Sequence, residues 1–287
     1  MMAGPVAIMT TGTTLMGDYF PGGERQKWLG LQGTVGPIAA SCMILAGGAL
    51  GSFSWQAPFL LYGVGALTLV FVLVVTREPQ ATHSESVANA ADRFPWSAAL
   101  VMASVTLFTA LLYYIQVVQF GLIFSALGLE SSAKIGLFIT VASVGVVAGG
   151  WSYRYLGKRP IGVLLAIIYV CYAVGLAGLG LASDYWMGMP FAVIAQFGNG
   201  VAVPALIGWA LSMFHFAHRG RGMGLWNTCF FAGQFISPLI VTTVIGAVGS
   251  LLAALVVLGA VSLVAAVLAS VQAVRRRTTQ TAVAQSS

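Results

Sequence analysis

The feature that most constrains this chain is a succession of long runs without Asp, Glu, Lys or Arg, separated by short loops that carry the charge. A hydrocarbon core of about 30 Å needs roughly 20 apolar residues of helix to cross it. Measured against that length, nine spans are expected, at about 1–17, 29–51, 57–76, 96–120, 133–152, 160–182, 186–212, 223–247 and 249–272. The runs are too long for strands and lack period-2 alternation, so helices are expected throughout. A soluble domain carries roughly a quarter charged residues, whereas here only 7% are charged and 59% are hydrophobic. The expected class is therefore an all-α membrane protein, a polytopic helical bundle embedded in the lipid bilayer.

The loops set an orientation. Arg25, Lys27, Arg77, Arg93, Arg154, Lys158, Arg159, Arg219, Arg221 and Arg275 to Arg277 fall on one side, and only Lys134 falls on the other. That asymmetry places those loops and the C-terminus in the cytoplasm, as in a bacterial inner membrane. It also accounts for the net charge of +6 without a nucleic-acid partner. Cys42, Cys171 and Cys229 lie in apolar runs without metal-ligand spacing, and read as small buried residues.

An internal repeat adds a second constraint. The first polar break, DYFPGGERQKWLGL at 18–31, has an echo 194 residues later: Arg25 falls on Arg219, Lys27 on Arg221, and Gly30-Leu31 on Gly224-Leu225. An apolar run precedes each copy and two follow it. Repeated membrane segments are a mark of transporters. The stretch REPQATHSESVANAADRFP at 77–95 is the only long polar connection and reads as a solvated linker between two bundles.

Together these features resemble the major facilitator superfamily of secondary transporters, whose members have two six-helix halves joined by a central cytoplasmic loop. The nine spans are similar to helices four to twelve of that pattern. The stretch at 18–31 corresponds to the loop between helices four and five, and Gly47-Gly48 followed by Phe53-Ser54-Trp55 to the end of helix five and its outer turn. The resemblance implies a division into a remainder of the N-terminal bundle at 1–76, the linker at 77–95, a six-helix bundle at 96–272 and a cytoplasmic tail at 273–287. It also implies that three N-terminal helices are missing and that Met1 falls within or near helix four. The loop GGWSYRYLGKRP at 149–160 resembles the second copy of the family's motif G-x-x-x-D-R-x-G-R-R/K. Gly150, Gly157, Lys158 and Arg159 fit it, while Arg154 occupies the acidic position and Tyr155 the next basic one. In the family that acid helps to lock adjacent helices. A plainer reading is that the basic residues anchor the loop at an anionic leaflet.

The export signature of helix five, a Gly-Pro pair just before Gly-Gly, is incomplete: Met43-Ile44 stands there and Gly36-Pro37 lies earlier. Gly30, Gly33, Gly36, Gly47 and Gly48 are expected to permit close helix approach. GQFISP at 233–238 is similar to the second-half equivalent, and Pro204 and Pro238 interrupt their spans.

No ionisable residue lies deep in a span, although such residues usually serve coupling or binding where they occur. If the carrier is proton-coupled, the acid belongs to the missing helices. Asp18 and Asp184, at helix ends, suit capping. The candidate substrate path then consists of Tyr113, Gln116, Gln119 and Phe120 in one run, Gln196 and Asn199 in another, and Asn227 and Gln234 in a third. By resemblance these runs are helices seven, ten and eleven, of which seven and ten line the central cavity and eleven flanks it. The structural alternative is that the amides hydrogen-bond across helices and hold the bundle together. The basic loops with Arg25, Lys27, Arg154, Lys158, Arg159, Arg219 and Arg221 are the candidate conformational motifs. His215 and His218 lack a third ligand, so no metal site is expected, and no cofactor. No Ser-His-Asp set, carboxylate pair or phosphate loop supports an enzyme.

The function expected is secondary transport of a small organic solute by alternating access, closest to drug and sugar efflux. The alternative is a truncated, non-transporting remnant or a membrane scaffold, which a stop codon close upstream of Met1 favours.

Overall fold

The structure, a computed structural model, describes residues 23–75, 94–214 and 218–286. Within them the chain forms helices α1 (Gly23–Gly51), a short 3-10 helix (Ala57–Leu61), α2 (Tyr62–Val75), α3 (Trp96–Ala126), α4 (Ser132–Ala142), α5 (Val144–Leu156), α6 (Ile161–Leu181), α7 (Tyr185–Met213), α8 (Arg219–Val248) and α9 (Leu251–Ser286). Among the described residues six helical stretches are long and apolar enough to cross a membrane. They are Trp96–Ala126, Ser132–Leu156, Ile161–Leu181, Tyr185–Met213, Arg219–Val248 and Leu251–Ala273. The protein is an all-α, multi-pass membrane protein. Helices answer the absence of water in lipid, because each satisfies its own backbone.

Several boundaries differ from expectation. The first expected span and most of the 77–95 linker lie outside the described residues. The run at 133–152 is two helices meeting at Ser143, where the Ser143 hydroxyl donates to the Ile139 carbonyl at 2.9 Å. Helix α1 begins at Gly23, and α8 at Arg219. Arg25 and Lys27, like Arg219 and Arg221, therefore lie in helical turns and not in loops. Straight-chain basic residues are good helix formers, so the helix continues past the apolar run. The tail at 273–287 is helical through Ser286, although the apolar stretch stops at Ala273.

Helix ends are built locally. The Asp184 carboxylate accepts from the Met187 backbone N–H at 2.8 Å, which caps α7 as expected of that residue. Gly249, at φ +86°, closes α8 with a 2.7 Å bond to the Ile245 carbonyl. Only glycine takes that conformation without strain.

Helix α3 packs on α8, α5 on α7, and α6 on both α7 and α9, while α1 packs on α4 and α5. The α5–α7 seam brings two backbones into close contact. A Cβ on Gly145 or Gly149 would collide with the Val193 and Phe197 carbonyls, and one on Gly200 with the Val146 carbonyl. Gly145 and Gly149 stand four apart, so two backbones meet where a side chain would hold them off. Of the glycines expected to allow close approach, Gly48 does so, with Gly136 Cα 3.1 Å from the position of its Cβ. Gly47 makes ordinary contact and Gly36 meets nothing within 4 Å, while the surroundings of Gly30 and Gly33 are outside the description. Among the described residues the α1–α4 crossing is close at Gly48 and Gly136, and Gly36, further along α1, faces open space. The cysteines correct another expectation: Cys42 is exposed and Cys171 and Cys229 are partly buried, all three free. Apolar runs in lipid have no reason to hide small residues, because the surroundings are as apolar as the core.

Candidate functional site

Three helices bring polar side chains to one place inside the bundle. On α3, Thr106, Thr109, Gln116 and Gln119 are buried, and on α7 so are Gln196 and Asn199. The spacing of three or four residues puts each set on one helical face. Asn199 is the hub. Its Nδ2 donates to Gln196 Oε1 at 2.7 Å and to Gln116 Oε1 at 3.3 Å, and its Oδ1 accepts from the Tyr172 hydroxyl at 2.8 Å. The network thus ties α3, α6 and α7. A second tie, 2.9 Å between the Thr109 and Tyr169 hydroxyls, runs between α3 and α6. Interhelical bonds of this kind contribute roughly 0.6–2 kcal/mol each in a membrane.

The α3–α8 seam is built differently. The Phe230 ring lies 5.2 Å from Tyr113, 5.4 Å from Tyr114 and 5.2 Å from Trp226, the last pair stacked at 13°. Among the described residues several buried polar atoms have no protein partner: Trp226 Nε1 and Ser237 Oγ on α8, and Thr106 Oγ1 and Gln116 Nε2 on α3. Buried polar groups are nearly always paired, so their concentration on two helices sets this part of the bundle apart.

The expected path residues divide accordingly. Gln116, Gln196 and Asn199 are brought together. Phe120 is 1% exposed and packs its ring on Phe124, and Gln119 is buried outside the network. Tyr113 and Gln234 are half-buried, while Asn227 is buried on α8 beside Trp226. Tyr172 and Tyr169 were not among the candidates. Two tyrosines three apart in the middle of an apolar run are the signal for them, since a buried tyrosine hydroxyl seeks a partner.

The basic motif at 149–160 also takes shape. Arg154 lies over the Trp151 ring at 3.7 Å and the Tyr155 ring at 4.6 Å, and its Nη2 donates to the Tyr155 hydroxyl at 2.6 Å. Where the family motif has an acid, this chain has a cation held by two aromatic faces. Gly150 lies within α5. Gly157 closes α5 with a bond to the Tyr153 carbonyl, and Lys158 and Arg159 are exposed beyond it. Arg219 donates its Nε to the Phe214 carbonyl at 3.4 Å, and Arg221 is exposed. The Arg25 and Lys27 side chains and His215 lie outside the description. The His218 ring meets Phe94 edge-on at 5.6 Å. Among the described residues no three potential metal ligands cluster.

Comparison with known families agrees with the resemblance. The family model of the Major Facilitator Superfamily matches residues 1–238, more than half of the chain. The chain belongs to the Major Facilitator Superfamily. This superfamily chain is therefore a membrane transporter by kind, with its matched region running from residue 1 to Pro238 within α8. Among curated proteins none matches it.

Proposed function

We propose that this protein moves a small organic solute by alternating access, as an exporter of the drug or sugar efflux type. Its C-terminus and basic loops lie in the cytoplasm of a bacterial inner membrane. The path runs along α3, α7 and α8, whose inventory is Tyr113, Gln116, Gln119, Phe120, Gln196, Asn199, Asn227 and Gln234. The observation that supports this reading is the uncharged polar inventory of those helices, in a bundle whose described spans hold no central Asp, Glu, Lys or Arg. Such a lining suits an uncharged or delocalised solute. Proton coupling requires an acid outside this set. Arg25, Lys27, Gly150, Arg154, Gly157, Lys158, Arg159, Arg219 and Arg221 mark the turns that shift between states.

One observation favours a division of labour within the set. Gln116 and Asn199 are 1% and 2% exposed and bonded to one another, which is the geometry of interhelical glue. Tyr113 and Gln234 keep part of their surface free and are assigned to the solute. Flux into proteoliposomes, with a fluorescent cationic dye and a radiolabelled disaccharide under imposed proton and sodium gradients, tests the function. Movement of either above protein-free vesicles supports it. No movement under any gradient supports the remnant or scaffold alternative.

A further inference from the structure

A groove of about 390 Å³ opens on the bundle along the α6–α9 seam, away from the polar network. Its floor is one face of α6, where Val163, Ala166, Ile167, Val170 and Cys171 recur at three- and four-residue spacing. From α9, Ser270 contributes a wall, but its hydroxyl is directed onto the Ala266 carbonyl at 2.8 Å, so it offers the groove little polarity. Val170 is 45% exposed. Among the described residues α1 packs on α4 and α5 and away from this side.

Charge converges at one end of the groove. A Cβ on Gly162 would lie 3.0 Å from Ala273 Cβ, so the start of α6 touches α9 at Ala273. Three residues before Gly162 stands Arg159, preceded by Lys158, both exposed. Two residues after Ala273 come Arg275, Arg276 and Arg277, continuing the same helix. Two exposed basic residues, Lys158 and Arg159, thus stand where the apolar groove ends at the start of α6.

We infer that the α6–α9 groove is a binding site for one anionic phospholipid, an acyl chain lying along Val163, Ala166, Ile167 and Val170 and the phosphate meeting Lys158 and Arg159. The groove alone does not select, because an acyl chain leaves an equally apolar bilayer to enter it. Selection comes from the basic end, where each Lys or Arg near a charged headgroup favours an anion. The site lies off the transport path, and its existence does not depend on which solute is carried.

The test is native mass spectrometry of the full chain in detergent, titrated with phosphatidylglycerol and with phosphatidylcholine of matched chains. The expected result is one retained phosphatidylglycerol, preferred over phosphatidylcholine. Lys158→Gln and Arg159→Gln each reduce that preference about fivefold, the weight of one cation at such a surface. Val170→Trp, at an exposed position, fills the groove and lowers retention of both lipids with the charge intact, and Ala166→Leu does the same from deeper in the floor. Unfolding temperatures of all four variants serve as the control for folding. Equal retention of the two lipids by the unaltered chain overturns the proposal. So does undiminished phosphatidylglycerol retention in both groove-filling variants, which makes the attraction one of diffuse charge.

Discussion

The α5–α7 and α3–α8 seams belong to one bundle and hold together by opposite means. Along α5–α7 the chains meet backbone to backbone, with Gly145, Gly149 and Gly200 set against carbonyls. Along α3–α8 the contact is a cluster of large rings, Tyr113, Tyr114, Phe230 and Trp226, with the Trp226 Nε1 unpaired among the described residues. A seam of glycines has one register and no slack, because any added carbon meets a backbone atom. A seam of rings fills space through side chains that have rotamers to exchange, and it leaves polar groups free to be used. The first is suited to holding α4, α5 and α7 as one body, the second to facing a solute.

Four substitutions can break or sharpen that contrast. Gly200→Leu has the largest expected effect. Its side chain would be driven into α5, and overpacking of this kind costs about 3 kcal/mol. Loss of folded protein in detergent extracts is the readout, and a variant as stable as the parent would show the seam to be loose. Asn199→Ala comes next. It removes the hub of three hydrogen bonds and strands Tyr172 and Gln196, for a loss of about 2 kcal/mol by denaturant titration. A double-mutant cycle with Gln116→Ala should return a coupling of about 0.6–1.7 kcal/mol.

The next pair separates paired from unpaired hydroxyls on one helix. Thr109→Val deletes the bond to Tyr169 and is expected to cost about 1 kcal/mol. Thr106→Val deletes a buried hydroxyl that bonds to nothing, and should leave stability within about 0.5 kcal/mol of the parent or raise it. Equal losses at the two positions would mean that the α3 hydroxyls are used alike, and the contrast between the seams would weaken.

Much of this was legible in the sequence for physical reasons. The bilayer sets the length of an apolar run, so the spans from 96 onward were readable from where charge stops. The placing of Gln196 and Asn199 on one run followed from the sequence, and the capping role of Asp184 from its place before an apolar run. The partner Gln116 lies 83 positions from Asn199, and no local pattern carries such a contact. Tyr172 was passed over because one hydroxyl in an apolar run does not announce its acceptor. The start of α1 at Gly23 and the helical tail to Ser286 were missed because hydropathy marks where the membrane ends, not where the helix ends. Arg154 shows a further limit: a motif read for an acid gave no reason to look for the two rings that hold its replacement.

The central claim is that the amide hub is closed glue while the α3–α8 side meets the solute. Thiol accessibility tests it most directly. In a background with Cys42, Cys171 and Cys229 replaced by serine, single cysteines at 199 and 234 are exposed to a small water-soluble maleimide in membranes. The account predicts that the cysteine replacing Gln234 is modified at least tenfold faster than the one replacing Asn199, and that added transported solute slows it. Equal rates, or protection by solute at position 199 alone, would contradict the account and return the path to the hub.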